Sequence, residues 1–479
     1  MRIIPACYHT AILPEHQGNP LIESLPQKVS DAVLGVQLSR YPSVMAHERL
    51  LEPTVRTEYL ARLKDLRQPL PVYIDCFRAI ETAIKEGYSA KNPLSPTTMN
   101  YIHYPVDNRP SIPPVTGFFS PKGCGITVIG ESGVGKTCML EQILHWYPDV
   151  IEHQSYNEEE VCIRQIVWLK VDCPADSSIK ALCYRIMTEL DKKLGCVPVR
   201  RAATIPLLLE QIEARIKSCF LGILVIDEMQ NLNLAKAGGA DRLLSFIHSM
   251  VNNLGIPVLF CANPPFNHLL AKTLKTARRA ESNGYFDLTL LENDDEWMLF
   301  IDELWLLQWT RVFTPLTAAL SDKLFELSVG NIELAVRIFR ESQRLVIGQD
   351  SEEITTELLE FSSATAIRAS QNAVNEIRIK RSLDILRRQN TINDIDAKSE
   401  EKTTLRNSAD FLSIPGDLNR AQHHEFSVGL TKLLNAPILS EHIKDSDLFQ
   451  RYAYQTISLD DLIQSGDVCD TLLIPTDET

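Results

Sequence analysis

The chain has 479 residues, of which 44% are hydrophobic, and a formal net charge of −14 at pH 7. This length predicts about two to four domains, and the negative charge argues against a protein that coats nucleic acid with its whole surface, although a local basic groove is compatible with it. The 11 cysteines are scattered and form no C-x-x-C pair or Cys/His cluster, which excludes a disulfide framework or a zinc site of the usual spacing.

Neither a membrane span nor a secretion signal is predicted. No run of about 18 apolar residues occurs. The N-terminal stretch MRIIPACYHTAILPEHQG lacks the charged region and apolar run of a signal peptide. We therefore expect a cytoplasmic protein with no membrane partner.

The first 112 residues are rich in proline and contain short helical patterns. Turn-like pieces such as GNPLIESLP separate the stretches VRTEYLARLKDL and YIDCFRAIETAIKEG, whose apolar residues recur at helical spacing. We expect a mainly helical N-terminal domain with extended arms, at 1–112, that serves in recruitment.

Between 113 and 345, short apolar runs alternate with helical stretches. The runs are GITVIG (125–130), IVWLKVD (166–172), GILVIDE (222–228) and IPVLFCAN (256–263). Strands that alternate with helices predict an α/β domain, with a parallel sheet flanked by helices. The later stretches EWMLFIDELWLLQW and SDKLFELSVGNIELAVRIFRESQRLV predict a helical lid.

Two further segments follow the lid. Residues 346–390 are predicted to be a basic helical segment, with positive charges at Arg378, Lys380, Arg381, Arg387 and Arg388. Residues 391–479 contain 16 acidic and 7 basic residues, a net charge of 7 − 16 = −9. We expect this acidic tail to fold loosely or on a partner, because it still contains apolar runs.

The stretch VIGESGVGKTCMLEQIL predicts a phosphate-binding loop. It fits G-x-x-x-x-G-K-[ST] between a strand and a helix, where backbone N–H groups and the positive end of the helix can hold phosphate. Lys136 would reach the β- and γ-phosphates of ATP, and the Thr137 hydroxyl would bind Mg²⁺. The predicted nucleotide site comprises Gly130, Glu131, Ser132, Gly133, Val134, Gly135, Lys136, Thr137 and Cys138.

The apolar run GILVIDE ends in two acids. At the carboxyl edge of the sheet Asp227 would hold Mg²⁺, directly or through water, and Glu228 would orient the water that attacks the γ-phosphate. The alternative is a strand whose end is acidic by chance.

Four polar residues further along are candidates for sensing or completing the site. Asn263, at the end of IPVLFCAN, would contact the γ-phosphate or the attacking water, or else begins the turn before Pro264. Arg278 or Arg279 would act in trans on a neighbouring subunit's nucleotide, unless both lie on a solvated helix end. Arg337 in the lid would reach the phosphates, unless it is an ordinary surface arginine.

These motifs together resemble the TnsC/TniB branch of the AAA+ ATPases. The resemblance is carried by the phosphate loop, LVIDEMQNL, VLFCANPPF, ARRAESNGYF and GNIELAVRIF, and by the N-terminal pieces GNPLIESLP and EGYSAKNPL. It implies a bacterial regulator of DNA transposition that binds ATP and Mg²⁺ and assembles with itself into rings or filaments on double-stranded DNA. Such a protein links a target-selection protein to the transposase. By the same resemblance, Lys136, Thr137, Asp227, Glu228 and Asn263 take the roles described above.

Contacts with the DNA backbone are predicted from the loop after the second strand, DCPADSSIK, and from AKAGGADR, unless these are ordinary solvated loops. The candidates are Ser177, Ser178, Lys180, Lys236 and Arg242. Hydroxyl groups and lysines are sufficient to contact DNA phosphates without recognising the base sequence. Each contact would be weak, and assembly of several copies of the chain on the DNA would combine them.

Two other functions compete with transposition. A helicase loader or replication initiator would keep the ATPase but serve another client. A nucleotide-gated signalling scaffold would bind ATP without needing hydrolysis, which an intact Glu228 argues against.

Overall fold

A parallel β-sheet covered by helices on both faces is the centre of the computed structural model. The structure describes residues 1–95, 123–175, 178–198, 200–231, 246, 256–264, 266, 280–379 and 381. The strands among these residues are β1 (Ile3–Pro5), β2 (Gly125–Gly130), β3 (Val150–Tyr156), β4 (Glu159–Ile166), β5 (Trp168–Asp172), β6 (Ile223–Asp227), β7 (Val258–Ala262) and β8 (Tyr285–Leu288).

Helices surround the sheet and build the segments before and after it. Those in the described part of the chain are α1 (Pro20–Glu23), α2 (Asp31–Leu38), α3 (Pro53–Tyr59), α4 (Pro71–Ser89), α5 (Lys136–Trp146), α6 (Ile179–Leu194), α7 (Ile205–Cys219), α8 (Asp295–Trp305), α9 (Ala318–Ser328), α10 (Ile332–Val346) and α11 (Thr356–Ala366). Short 3₁₀ turns occupy Pro14–His16, Ala46–Leu50, Leu60–Asp65, Met229–Asn231 and Arg368–Ser370.

The central sheet has the order β5-β6-β7-β2-β8 among the described residues, and every neighbouring pair is parallel. Strand β7 therefore lies between β2, which leads into the predicted phosphate loop, and β6, which ends in the acids. The α/β fold with a parallel sheet flanked by helices is confirmed. This order brings the carboxyl ends of β2, β6 and β7 to one edge.

The apolar runs form strands because both of their faces are buried. Every residue of β2, β6 and β7 is buried. In β6, Ile223 and Val225 pack into one apolar cluster, while Leu224 and Ile226 pack into another. A strand buried on both faces reads as a continuous apolar run without alternation, as in GILVIDE.

A second, smaller sheet was not foreseen from the sequence. In the described residues it has the order β1-β3-β4, with β1 parallel to β3 and β3 antiparallel to β4. The β3–β4 turn has positive φ at both Asn157 (48°) and Glu158 (72°), as a tight hairpin requires. The predicted single strand 166–172 is in fact divided between the end of β4 and β5.

Helix α4 of the N-terminal segment contacts β6 and β8 of the central sheet. The hydroxyl of Tyr88 in α4 donates to the Phe220 carbonyl oxygen at 2.9 Å and to the Ile166 carbonyl oxygen at 3.3 Å. Met1–Arg381 form one compact unit. The predicted boundary at 112/113 and the predicted acidic tail, 391–479, lie outside the described residues.

The lid consists of helices α8 to α11, and its core is aromatic. Trp297, Trp305 and Trp309 are almost completely buried. A buried ion pair ties the lid to the N-terminal segment: Arg56 in α3 meets Glu352 at 2.5 Å, and their side chains are 0% and 5% exposed. None of the helices in the described residues is long and apolar enough to cross a membrane.

Candidate nucleotide-binding site

The loop between β2 and α5 turns through two glycines in the left-handed region. Gly133 has φ +84° and Gly135 has φ +97°. A Cβ on Gly135 would lie 2.7 Å from the Tyr73 hydroxyl oxygen, and one on Gly133 would lie 2.7 Å from the Asn331 side-chain oxygen. Both the backbone conformation and the space therefore require glycine, as in loops that curl around phosphate.

Lys136 lies inside this loop at the start of α5. Its ammonium donates to the carbonyl oxygens of Gly130 at 2.9 Å and Glu131 at 2.8 Å, and the residue is only 8% exposed. Burial lowers the pKa of Lys136, and the nearby carboxylates of Asp227 and Glu228 offset this only in part. A phosphate bound in the loop would give the Lys136 ammonium a negatively charged partner in place of these two carbonyl oxygens.

Asp227 meets the first turn of α5 at the sheet edge. The Thr137 hydroxyl donates to Asp227 Oδ2 at 3.3 Å. The other oxygen, Oδ1, accepts the Glu228 backbone N–H at 2.9 Å. The two side chains predicted to hold Mg²⁺ are therefore adjacent in space, although 90 residues separate them in the chain.

A lysine that sequence reasoning did not consider joins this pair. The ammonium of Lys170 in β5 lies 3.1 Å from Asp227 Oδ2 and 2.7 Å from Asp172 Oδ1. Burial would lower the pKa of Lys170, but its hydrogen bond to Asp172 and the charge of Asp227 outweigh that effect and raise it. The only signal in the sequence is that this lysine interrupts an otherwise apolar run, IVWLKVD.

Glu228 is connected to the next strand of the sheet through Gln230. Glu228, directly after β6, has a positive φ of 57°, a conformation that is uncommon for a residue other than glycine. The Gln230 amide donates to Glu228 Oε2, and Gln230 Oε1 accepts the Asn263 backbone N–H at 2.9 Å. The acid predicted to orient water and the predicted sensor are thus linked by one side chain.

Lys136, Thr137, Glu228 and Asn263 line one cavity of about 620 Å³. The loop and the sheet edge contribute Ser132, Gly133, Gly135, Lys136, Thr137, Cys138, Glu228 and Asn263. The N-terminal segment contributes apolar and basic side chains, including Leu66, Arg67 and Tyr73, and the lid contributes Phe300, Val336 and Arg337. The cavity is large enough for a nucleotide.

The lid contacts the phosphate loop itself. The Asn331 side chain donates to the Ser132 carbonyl oxygen at 2.9 Å, and its oxygen accepts the Leu334 N–H as the cap of α10. Arg337, further along α10, lines the cavity, and its Nε lies 3.8 Å from Glu333 Oε1. Sequence reasoning missed Asn331, although a Gly-Asn pair before an apolar helix is a recognisable helix start.

Other predicted residues lie elsewhere or outside the described part of the chain. Arg278, Arg279, Ser177, Lys236 and Arg242 are outside it. Ser178 is described and caps α6 by accepting the Ala181 N–H at 3.3 Å, and Lys180 lies 5.6 Å from the centre of the Tyr184 ring. Neither residue lines the nucleotide cavity.

Two arginines of the predicted basic segment pack against the lid. Arg378 donates to the Glu326 carbonyl oxygen and Arg381 to the Leu291 carbonyl oxygen, each at 2.9 Å. Lys380, Arg387 and Arg388 lie outside the described residues.

A family model for the AAA domain matches residues 122–270, the segment that contains the phosphate loop, the acid pair and Asn263. The chain carries an AAA domain. Together with the strand order and the helical lid, this match gives the chain an AAA+ P-loop fold. No curated protein sequence matches the chain.

Solved structures match parts of the chain at low identity. Cdc6p from Pyrobaculum aerophilum is 14% identical over 63% of this chain and 68% of its own, with a TM-score of 0.40. The Aeropyrum pernix ORC2 protein, with ADPNP and ADP, is 13% identical over 51% of this chain and 63% of its own, with a TM-score of 0.32. A Walker-type ATPase of Pyrococcus abyssi is 12% identical over 55% and 71% respectively, with a TM-score of 0.32.

The residues of the AAA domain fit Mg²⁺ that arrives with a nucleotide. Among the described residues no group of three or more His, Cys, Asp or Glu side chains could hold a metal by itself. Mg²⁺ in nucleotide sites typically takes one or two protein oxygens and completes its shell with phosphate oxygens and water. Thr137 Oγ1 and Asp227 Oδ2 are such a pair.

Replacing Gln230 with Ala is expected to lower kcat for ATP hydrolysis about tenfold, because a hydrogen bond to a charged group contributes roughly 1.5 kcal/mol or more. KM for ATP should change less than twofold, since Gln230 does not line the cavity. Steady-state kinetics measures both. Gln211→Ala is the matched control, because the Gln211 amide also both donates and accepts a hydrogen bond, with the Arg200 carbonyl oxygen and the Ala202 N–H, away from the site. An unchanged kcat in Gln230→Ala would show that Glu228 is positioned without it.

Proposed function

We propose that this chain is an Mg²⁺-dependent ATPase that assembles on double-stranded DNA and regulates DNA transposition. The observation that carries the ATPase part is that Lys136, Thr137, Glu228 and Asn263 line one nucleotide-sized cavity, with Asp227 in contact with Thr137. These five residues come from the ends of two strands, β6 and β7, and from the start of one helix, α5.

Each residue has a role that follows from its chemistry and position. The loop N–H groups and Lys136 bind the phosphates, with the start of α5 adding its positive dipole end. Thr137 and Asp227 hold Mg²⁺, which neutralises charge on the phosphate oxygens. Glu228 orients the attacking water, and Gln230 holds Glu228 in place. Asn263 contacts the γ-phosphate or the attacking water, and Arg337 reaches the phosphates from the lid.

Support for the transposition role is the sequence resemblance to TnsC/TniB proteins. Its motifs extend beyond the phosphate loop and acid pair, through the N-terminal pieces and the lid helix. On this proposal the partners are duplex DNA bound through its backbone, further copies of the chain, a transposase and a target-selection protein. Ser177, Ser178, Lys180, Lys236 and Arg242 remain the proposed DNA contacts.

The test is electron microscopy of the full chain with linear duplex DNA, in the presence of ADP or of a non-hydrolysable ATP analogue. We expect rings or filaments on the DNA with the analogue and none with ADP. Bound nucleotide should stabilise the interface between neighbouring copies of the chain. The weak contacts that each copy makes with the DNA backbone then add up along the DNA.

Two results would redirect the proposal. Nucleotide binding without any assembly on DNA would favour the signalling scaffold. Assembly that loads a replicative helicase but does not stimulate a transposase would favour the initiator function.

A further inference from the structure

Lys170 places a positive charge where Mg²⁺ is expected. Strands β5 and β6 pair with Asp172 opposite Asp227, so two carboxylates lie side by side at the sheet edge. The Lys170 ammonium bridges them, 2.7 Å from Asp172 Oδ1 and 3.1 Å from Asp227 Oδ2. Its side chain is 17% exposed, and that of Asp227 is 3% exposed.

Both oxygens of Asp227 are already engaged in this arrangement. Oδ1 accepts the Glu228 N–H, and Oδ2 receives both the Thr137 hydroxyl and Lys170. A buried carboxylate next to two further acids needs a nearby cation. Lys170 supplies it without a metal.

Asp172 gives Lys170 a second partner outside the site. Its side chain is 59% exposed, and it holds Lys170 by the shorter of the two contacts. The lysine side chain is long and flexible, so the ammonium can move away from Asp227 and still keep its contact with Asp172.

We propose that Lys170 is a tethered cation that competes with Mg²⁺ for Asp227 and is displaced towards Asp172 when Mg²⁺ and nucleotide bind together. Lys170 thereby raises the Mg²⁺ concentration that nucleotide binding requires. It also keeps Asp227 neutralised between turnovers. The inference rests on the proposed ATPase function.

The test is the Mg²⁺ dependence of binding of a fluorescent ATP analogue to the full chain, for wild type and Lys170→Met. The variant should reach half-maximal binding at about fivefold lower Mg²⁺ concentration, because the competing ion pair has been removed. Binding is measured in place of turnover, so a change in the chemical step does not affect the readout.

Two controls isolate the charge of Lys170. Lys85→Met breaks an ion pair of similar length and burial, with Glu81 at 2.7 Å and side chains 23% and 8% exposed, away from the nucleotide cavity. It should leave the Mg²⁺ dependence unchanged. Lys170→Arg keeps the cation and should restore the dependence of the wild type. If Lys170→Met does not fold, Lys170→Gln removes the charge but keeps a hydrogen-bond donor.

The outcomes separate the inference from the function on which it rests. Equal Mg²⁺ dependence in wild type and the uncharged Lys170 variants would overturn the inference and leave the ATPase proposal intact. A higher Mg²⁺ requirement would also overturn it, because Lys170 would then support the metal site. A wild-type chain that binds no nucleotide at any Mg²⁺ concentration would overturn both.

Discussion

Replacing Glu228 with Gln is expected to slow ATP hydrolysis by about a hundredfold to a thousandfold, while ATP still binds. The proposed role of the Glu228 carboxylate is to accept a hydrogen bond from the attacking water and to orient that water through its negative charge. An amide of the same shape fills the same space without the charge. Single-turnover hydrolysis and equilibrium nucleotide binding measure the two effects separately.

The residues around Glu228 should keep their structure when Glu228 is replaced with Gln. Its partner Gln230 can donate to an amide oxygen as it does to the carboxylate, so the turn after β6 should persist. The Glu228 N–H bond to Asp227 involves only the backbone of residue 228 and is unaffected. The variant should therefore accumulate with ATP bound, in assemblies on DNA that fail to disassemble.

Lys136→Ala is the matching control, and it should fail at the earlier step. The Lys136 ammonium is held inside the loop by the carbonyl oxygens of Gly130 and Glu131, where it can bind the phosphates of a nucleotide. Its loss should abolish nucleotide binding and assembly on DNA. Rapid turnover by Glu228→Gln, or normal assembly by Lys136→Ala, would contradict the proposed mechanism.

Four of the five described strands of the central sheet could be predicted, because each is an apolar run of the right length between turn signals. The fifth, β8, was missed because it has only four residues, of which only the last is buried. Strands buried on both faces leave this signature directly in the sequence, as GITVIG and GILVIDE do. The β3–β4 hairpin leaves a weaker one: β4 mixes exposed residues with few buried ones, and its turn, Asn157-Glu158, lacks glycine. Periodicity alone gives little warning of such an insertion.

The candidate site divides in the same way. Lys136, Thr137 and Asp227 follow from a local motif or from the end of an apolar strand, and the strand order then brings them together. Lys170 and Tyr73 reach the site through tertiary packing, from a strand edge and from the N-terminal helix α4. No local pattern assigns a partner to a lysine within a strand, so its pairing with Asp227 required the structure.

Replacing Arg56 with Met is expected to lower the free energy of unfolding by about 3–5 kcal/mol, the usual effect of leaving a buried charge without its partner. Arg56 is fully buried and donates to both oxygens of Glu352, at 2.5 and 2.7 Å, and to the Trp309 carbonyl oxygen at 3.0 Å. The pair joins α3 to the lid. Denaturant unfolding measures the loss.

The pH dependence of that loss identifies its cause. Burial would raise the pKa of Glu352, but hydrogen bonds from Arg56 and from the backbone N–H groups of Arg311 and Gly348 lower it to about 2, from the usual 4.5. A depressed pKa stabilises the fold above the unfolded value and ceases to do so as pH falls through the folded value. The difference between wild type and Arg56→Met should therefore shrink between pH 4.5 and pH 2.

A second substitution in the pair separates charge from packing. Arg56→Met combined with Glu352→Gln should recover part of the lost stability, because the remaining buried carboxylate becomes neutral. Arg164→Met is the surface control: it breaks an ion pair with Glu152 at 2.6 Å whose side chains are 45% and 41% exposed. Its cost should stay below about 1 kcal/mol. If the double variant were no more stable than Arg56→Met alone, the loss would come from the packing of the arginine and its bond to Trp309. The contact between α3 and the lid would then depend on the packing of Arg56 and not on its ion pair with Glu352.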